Sequence, residues 1–264
     1  MKVNFRIILK WLTFLLLFGK AMLFATQSMH LNALSDSLAL LNPLFAVYLF
    51  LTSLVVLFYQ RFTKILPALL YGATFLLFLS SVGAFIDSHF LPEQMVEHAL
   101  QLGLPVVFGM LIQNKLKKKN AIKSLEILTA LTFIGHGFFA LGINGVPDNF
   151  IEMTTRIMSL SDSGAIELLF WVGLLDVVLA VLIFVPILNQ LAYCYMLVWG
   201  VLTSLARIYP PVIGLDFVLV DLPNCIYRLP HGLIPALLLV ELLFSKSGLQ
   251  FEYFSKKLSR SRDY

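Results

Sequence analysis

The feature that most constrains this chain is a succession of apolar stretches, each near the length of a bilayer crossing, parted by short polar breaks. A helix that spans the hydrocarbon core takes about 20 apolar residues rising about 1.5 Å each. Eight such stretches can be read, at about 7–27, 42–60, 65–86, 95–113, 122–142, 165–186, 189–208 and 228–245. They share 264 residues, so the loops are short and no separate soluble domain fits. Hydrophobic residues make up 59% of the chain and charged residues 13%, about half the charge density of a soluble domain. The fold class is therefore all-α integral membrane, and the expected partner is the lipid bilayer. A soluble enzyme, a disordered chain and a secreted disulfide scaffold are excluded. Cys194 and Cys225 are too few for a disulfide framework or a multi-cysteine metal site. They also supply no CxxC pair, which argues against a thiol-quinone exchange enzyme of the vitamin K epoxide reductase kind.

Basic residues near span ends set orientation. Of nineteen Lys and Arg, all but four fall on one side: Lys2, Arg6, Lys10, Arg61, Lys64, Lys115, Lys117, Lys118, Lys119, Lys123, Lys246, Lys256, Lys257, Arg260 and Arg262. The exceptions are Lys20, Arg156, Arg207 and Arg228. The expectation is a multi-pass protein of the cytoplasmic (inner) membrane with both termini inside. Because the cations cluster beside the spans, the net charge of +4 is no sign of nucleic-acid binding. The start of the chain also resembles a secretory leader, with MKVNFRIILK, then WLTFLLLFG, then AMLFATQ.

The two halves repeat. FGKAMLFA (18–25) aligns with IGHGFFAL (134–141), NPLFAVYLFLTSLVVLF (42–58) with ELLFWVGLLDVVLAVLI (167–183), and HALQLGLPVVFGMLI (98–112) with RLPHGLIPALLLVEL (228–242). Lys20 then matches His136, Leu51 matches Asp176, His98 matches Arg228 and Pro105 matches Pro235. Four spans per half make the repeats parallel. The expected organisation is a four-helix repeat over 1–114, a basic linker over 115–121, a second repeat over 122–248 and a basic tail over 249–264. Removing the first stretch as a leader would break this symmetry.

Ionisable side chains inside a bilayer cost roughly 2.5–3.5 kcal/mol each and usually face the bundle interior. Here they are Lys20, His136, Asp176, Glu167, Arg207, Arg228, His231 and Glu241. His136 stands between Gly135 and Gly137, which let neighbouring helices approach. Asp176 is mid-span, either a proton or cation site or a paired carboxyl. Arg228 and His231 are three apart and share a helix face. His136, Arg207, Arg228 and His231 are expected to converge on an outward-facing polar pocket in the second half, with Asp176 deeper; these five are the candidate ligand-binding residues. Packing hydrogen bonds or interfacial snorkelling of the arginines are the competing structural accounts. Glu167 is read as a cap on span six and Glu241 as a solvated or paired acid. Loop 144–164 reads as an interfacial amphipathic helix or lid, with Phe150, Ile151, Ile157, Met158 and Leu160 on one side and Glu152 and Arg156 on the other. Its first-half counterpart, SMHLNALSDSLALL, looks like a reduced version, and segment 208–227 is apolar enough to lie on the bundle mouth. No phosphate loop, HExxH, GxSxG or Rossmann fingerprint is present, no metal site is read, and no catalytic residue is assigned.

GHGFFALG, GLLDVVLAVLIF and HGLIPALLL make the second half resemble a DoxX-type four-helix membrane module, and FGKAMLFA gives the first half a fainter likeness. Gly173 to Asp176 supplies that family's Gly-x-x-acid pattern, with Asp in place of the usual Glu. The duplication and the long outer loop are further departures. The resemblance implies a membrane subunit linked to quinone or thiol redox systems, with a membrane or periplasmic redox partner. The alternatives are a small-molecule or proton-coupled transporter and a non-catalytic scaffold. A b-type haem between His136 and His231 ranks behind all three.

Overall fold

Each apolar stretch is bounded by residues that start or stop a helix. In the computed structural model, residues 4–27, 29–209 and 214–260 are described, with side chains as far as 245. The cations expected at Lys2 and in the basic tail from Lys246 onward lie outside the described side chains. Helix α1 (Phe5–Thr26) opens at Asn4, whose side chain accepts from the amides of Arg6 and Ile7. Helices α2 (Asn42–Leu57) and α3 (Leu66–Asp87) carry Pro43 and Pro67 in their first turns, where the missing N–H is harmless. A short turn, Pro92–Val96, leads into α4 (Ala99–Ile112). Helix α5 (Lys118–Leu141) stops at Gly142, which takes φ +69°. Helix α6 (Asp148–Met158) follows. Helix α7 (Asp162–Leu182) is capped by Ser161, whose hydroxyl accepts from the amide of Gly164 at 3.3 Å. Helix α8 (Asn189–Leu205) tightens into a 3₁₀ turn at Ala206–Ile208. A π-helical turn, Phe217–Asp221, runs into α9 (Leu222–Arg228) and α10 (Pro230–Arg260). No strand occurs among the described residues.

Among the described residues, seven stretches are long and apolar enough to cross a membrane: Phe5–Thr26, Leu66–Asp87, Pro92–Ile112, Lys118–Leu141, Asp162–Leu182, Asn189–Ile208 and Phe217–Ser245. The protein is thus an all-α, multi-pass membrane protein in contact with lipid. Helix α2, with 16 residues, rises about 24 Å and falls short of a typical ~30 Å core.

Several boundaries differ from those read in the sequence: the fourth stretch starts at Pro92, not 95, and the fifth at Lys118, inside the expected linker 115–121. The stretch placed at 165–186 begins at Asp162, because Ser161 supplies the cap. Glu167 therefore lies inside the helix and is exposed, and does not cap it. The last stretch begins at Phe217, not near 228. Pro223 falls in the first turn of α9 and cannot donate to the Leu219 carbonyl. That carbonyl accepts instead from the Thr26 hydroxyl at 3.1 Å, so the helical path continues past the proline. Residues 210–213 of the expected mouth segment lie outside the described residues.

Packing is pairwise. Helix α1 packs on α2, α3 on α4, α5 on α7 and α8 on α10. Across the halves, α4 packs on α5, and α1 packs on α9 and α10. The buried core follows this inner set through Leu9, Leu16, Leu17 and Phe24 of α1, Leu104 and Phe108 of α4, Leu125 of α5, and Ile234 and Leu237 of α10. Helices α7 and α8 turn Trp171, Val181, Leu191 and Val198 outward, more than half exposed, as a lipid-facing surface requires. Cys194 is exposed and Cys225 buried, and both are free.

Candidate functional site

Lys20, Glu97, His98, His136, Arg207, Arg228 and His231 meet at the bundle end opposite the N-terminus. Two glycines allow it. A Cβ on Gly135 would overlap the backbone nitrogen of Glu97, and one on Gly19 would come within 2.8 Å of the backbone nitrogen of Tyr227. Next to each glycine is a residue that reaches the same neighbour. His136 Nδ1 lies 3.2 Å from Glu97 Oε2, and the Lys20 ammonium sits 4.1 Å above the Tyr227 ring, a cation–π contact. Helix α5 is also drawn onto α7 through Gly137 and Gly173, where either Cβ would come within 2.8 Å of the other helix's backbone oxygen.

Glu97 is the centre of this group. It is 6% exposed. Its Oε1 accepts from Gln94 Nε2 at 2.9 Å and lies 3.8 Å from His98 Nε2. His98 donates through Nδ1 to the Gln94 carbonyl at 2.6 Å, which fixes its tautomer. Glu97 also interacts electrostatically with Arg207 and Arg228. His136 and His231 meet edge to face with ring centroids 5.6 Å apart. Arg228 stacks on the Tyr227 ring at 5.2 Å, and Arg207 and Arg228 are close enough to repel one another. The Nε atoms of both arginines and Nε2 of His231 are buried without a hydrogen-bond partner among the described residues. Asp176 is 2% exposed and accepts from the Tyr195 hydroxyl at 2.8 Å.

Two cavities open among these groups. The larger, about 610 Å³, lies between α5, α6, α7, α8 and the last helix. Phe133, Phe150, Ile157, Leu169, Val172 and Trp199 form apolar walls, and His136, Asp176, Arg207, Arg228 and His231 supply the polar surface. All five sequence-derived candidates thus line one space. The amphipathic segment does as well: α6 turns Phe150, Met153 and Ile157 into the cavity and leaves Glu152 and Arg156 exposed. The smaller cavity, about 330 Å³, lies at the boundary between the halves and is lined by Lys20, Gln94, Glu97, His98, Asn224 and Tyr227, with Arg207 and Arg228 shared.

The sequence reading confined the polar group to the second half, whereas the structure brings in Lys20, Glu97 and His98 from the first. Glu97 lies within the stretch read at 95–113, but only two residues from its start and close to Pro92, Glu93 and Gln94, so it was not counted among the ionisable groups of the spans. The available signal was the internal register, which sets Glu97 opposite Tyr227 beside the His98–Arg228 match. Glu241, read as a solvated or paired acid, lies at the far end and pairs with Lys118 at 2.7 Å. The first-half segment expected as a reduced version of the long loop forms the short turns Leu31–Ala33 and Asp36–Ala39. No family model matches this chain, no curated protein matches it, and no solved structure does.

Proposed function

We propose that the protein is an inner-membrane binder of a lipid-soluble ligand with a compact polar head, quinones being the class that suits the site. The observation that carries this reading is the larger cavity: apolar walls end in buried polar nitrogens that have no hydrogen-bond partner among the described residues. A pocket walled by apolar and aromatic groups with a few convergent polar atoms is the usual form of a small-molecule site. Quinone carbonyls accept hydrogen bonds, which the arginine Nε–H groups are free to donate, as is His231 in the tautomer that carries its proton on Nε2. A quinone, when bound, supplies reversible two-electron, two-proton chemistry. The residues here orient its head and exclude lipid, with α6 as cover. A scaffold subunit needs no such space.

The reading includes eight spans in two parallel DoxX-like repeats, with both termini inside. Helix α2 exposes Leu44, Val47, Phe50 and Leu51, a lipid-facing surface, and short spans are accommodated by local bilayer thinning. The two glycine contacts support the duplication. Gly19 with Lys20 meets Tyr227, and Gly135 with His136 meets Glu97, at positions that the internal alignment equates. The helix pairings obey the same exchange of halves. A redox partner at the membrane follows from the family likeness.

The test is a titration of the detergent-solubilised protein with decylubiquinone, read by tryptophan fluorescence. Trp199 lines the cavity, while Trp11 and Trp171 are about half exposed on the outside. Saturable quenching is expected, lost in Trp199→Phe and shifted to about tenfold weaker affinity in His231→Gln. Unsaturable quenching, equal in wild type and Trp199→Phe, would overturn the reading.

A further inference from the structure

The smaller cavity is not explained by a lipid-soluble ligand, because its lining is cationic. Lys20 is 4% exposed and has the Tyr227 ring as its contact, with no carboxylate within salt-bridge distance among the described residues. Arg207 and Arg228 face the same space with their Nε atoms unpartnered. The one carboxylate with which these three cations interact is Glu97, and it is already held by Gln94 and His136. Two guanidinium groups and the buried Lys20 amine therefore face one carboxylate. Placing like charges together out of water is costly unless an opposite charge joins them.

We propose that this cavity is a second binding site, for a phosphate group. A doubly charged tetrahedral oxyanion matches both the excess of cations and the chemistry of the donors. Guanidinium groups bind phosphate oxygens through paired N–H bonds, and lysine adds a point charge. Gln94, Asn224 and Tyr227 offer further hydrogen-bonding groups, beside apolar Leu23, Met29, Phe139 and Phe150. About 330 Å³ admits a phosphate and several waters. Because Arg207 and Arg228 line both spaces, the phosphate arrives either as the free ion or as a lipid head group whose chains extend into the apolar space.

Two arms separate these sources. The first is calorimetric titration of the detergent-solubilised full chain with inorganic phosphate. The second is native mass spectrometry after incubation with dioleoyl phosphatidic acid or dioleoyl phosphatidylcholine. Lys20→Gln and Arg207→Gln test the site, and Lys64→Gln, which removes an exposed cation, controls for overall charge. Saturable phosphate binding, about tenfold weaker in Lys20→Gln and in Arg207→Gln and unchanged in Lys64→Gln, supports a free-ion site. Selective retention of phosphatidic acid with the same variant pattern, and no response to inorganic phosphate, supports a lipid head-group site. The proposal is overturned if neither probe binds the wild type. It is equally overturned if Lys20→Gln and Arg207→Gln bind as wild type does, or if Lys64→Gln weakens binding as much as they do.

Discussion

At Gly135 the first carbon of any side chain would enter the space of the Glu97 backbone. That single position decides whether His136 reaches the carboxylate or is held away from it. Relief requires α5 to shift from the turn before α4, and overpacking of this kind costs about 1–3 kcal/mol. Gly135→Ala is therefore expected to lower the apparent melting temperature in detergent. Gly164→Ala serves as the control, since its nearest neighbour would be the Ser161 hydroxyl oxygen at 3.5 Å, an ordinary contact. Equal melting of the two variants would show that the approach of α5 to Glu97 is loose. Gly19→Ala, against Tyr227, should behave as Gly135→Ala does.

Helix α6 lies outside the bundle pairs and covers the larger cavity with Phe150, Met153 and Ile157. Phe150 meets Phe139 of α5 edge to face at 6.2 Å, which anchors its N-terminal end. Ile157→Asn puts an amide into an apolar wall, at a cost of about 1–3 kcal/mol. The expected result is roughly fivefold or greater loss of decylubiquinone affinity, while Glu152→Ala on the exposed face leaves affinity unchanged. If both variants bind alike, α6 is not a cover. This helix was legible in the sequence because its apolar and charged residues alternate with helical spacing, and the spans were legible because length and hydropathy suffice to mark a helix in lipid. Boundaries were less so. Pro223 reads as a break, yet a proline tolerated in a first turn, with Thr26 satisfying the carbonyl it leaves free, continues the helical path. His136, Asp176, Arg207, Arg228 and His231 stood out as ionisable groups within apolar runs. Glu97 did not, since it stands at the very start of its stretch, beside the polar run Pro92, Glu93 and Gln94. Only tertiary packing reveals that Glu93 is buried and accepts from Asn144 at 2.8 Å, drawing that turn into the bundle.

Across the whole molecule, the basic residues divide into two populations with different physical settings. At the end that bears the N-terminus, Arg6, Arg61, Lys64, Lys115, Lys117, Lys118 and Lys119 are exposed. Arg6 donates to Asn114 at 2.9 Å and Lys118 pairs with Glu241, tying the N-terminus, the linker and the last helix together there. At the opposite end only four basic residues occur among those described. Three of them, Lys20, Arg207 and Arg228, turn into the cavities instead of toward water, and Arg156 on α6 is the exposed one. Cations withdrawn into a site are screened from the lipid surface and carry less weight in setting orientation than those beside the span ends. The effective asymmetry is thus steeper than the raw count of the sequence suggests. The expected orientation places the linker in the cytoplasm and α6 outside. A phosphatase reporter that is active only outside the membrane should give no signal when fused after Lys118 and a strong one when fused after Gly145. Substituting Arg156 with Gln should leave both results unchanged. Activity after Lys118 would invert the topology and place both cavities on the cytoplasmic side.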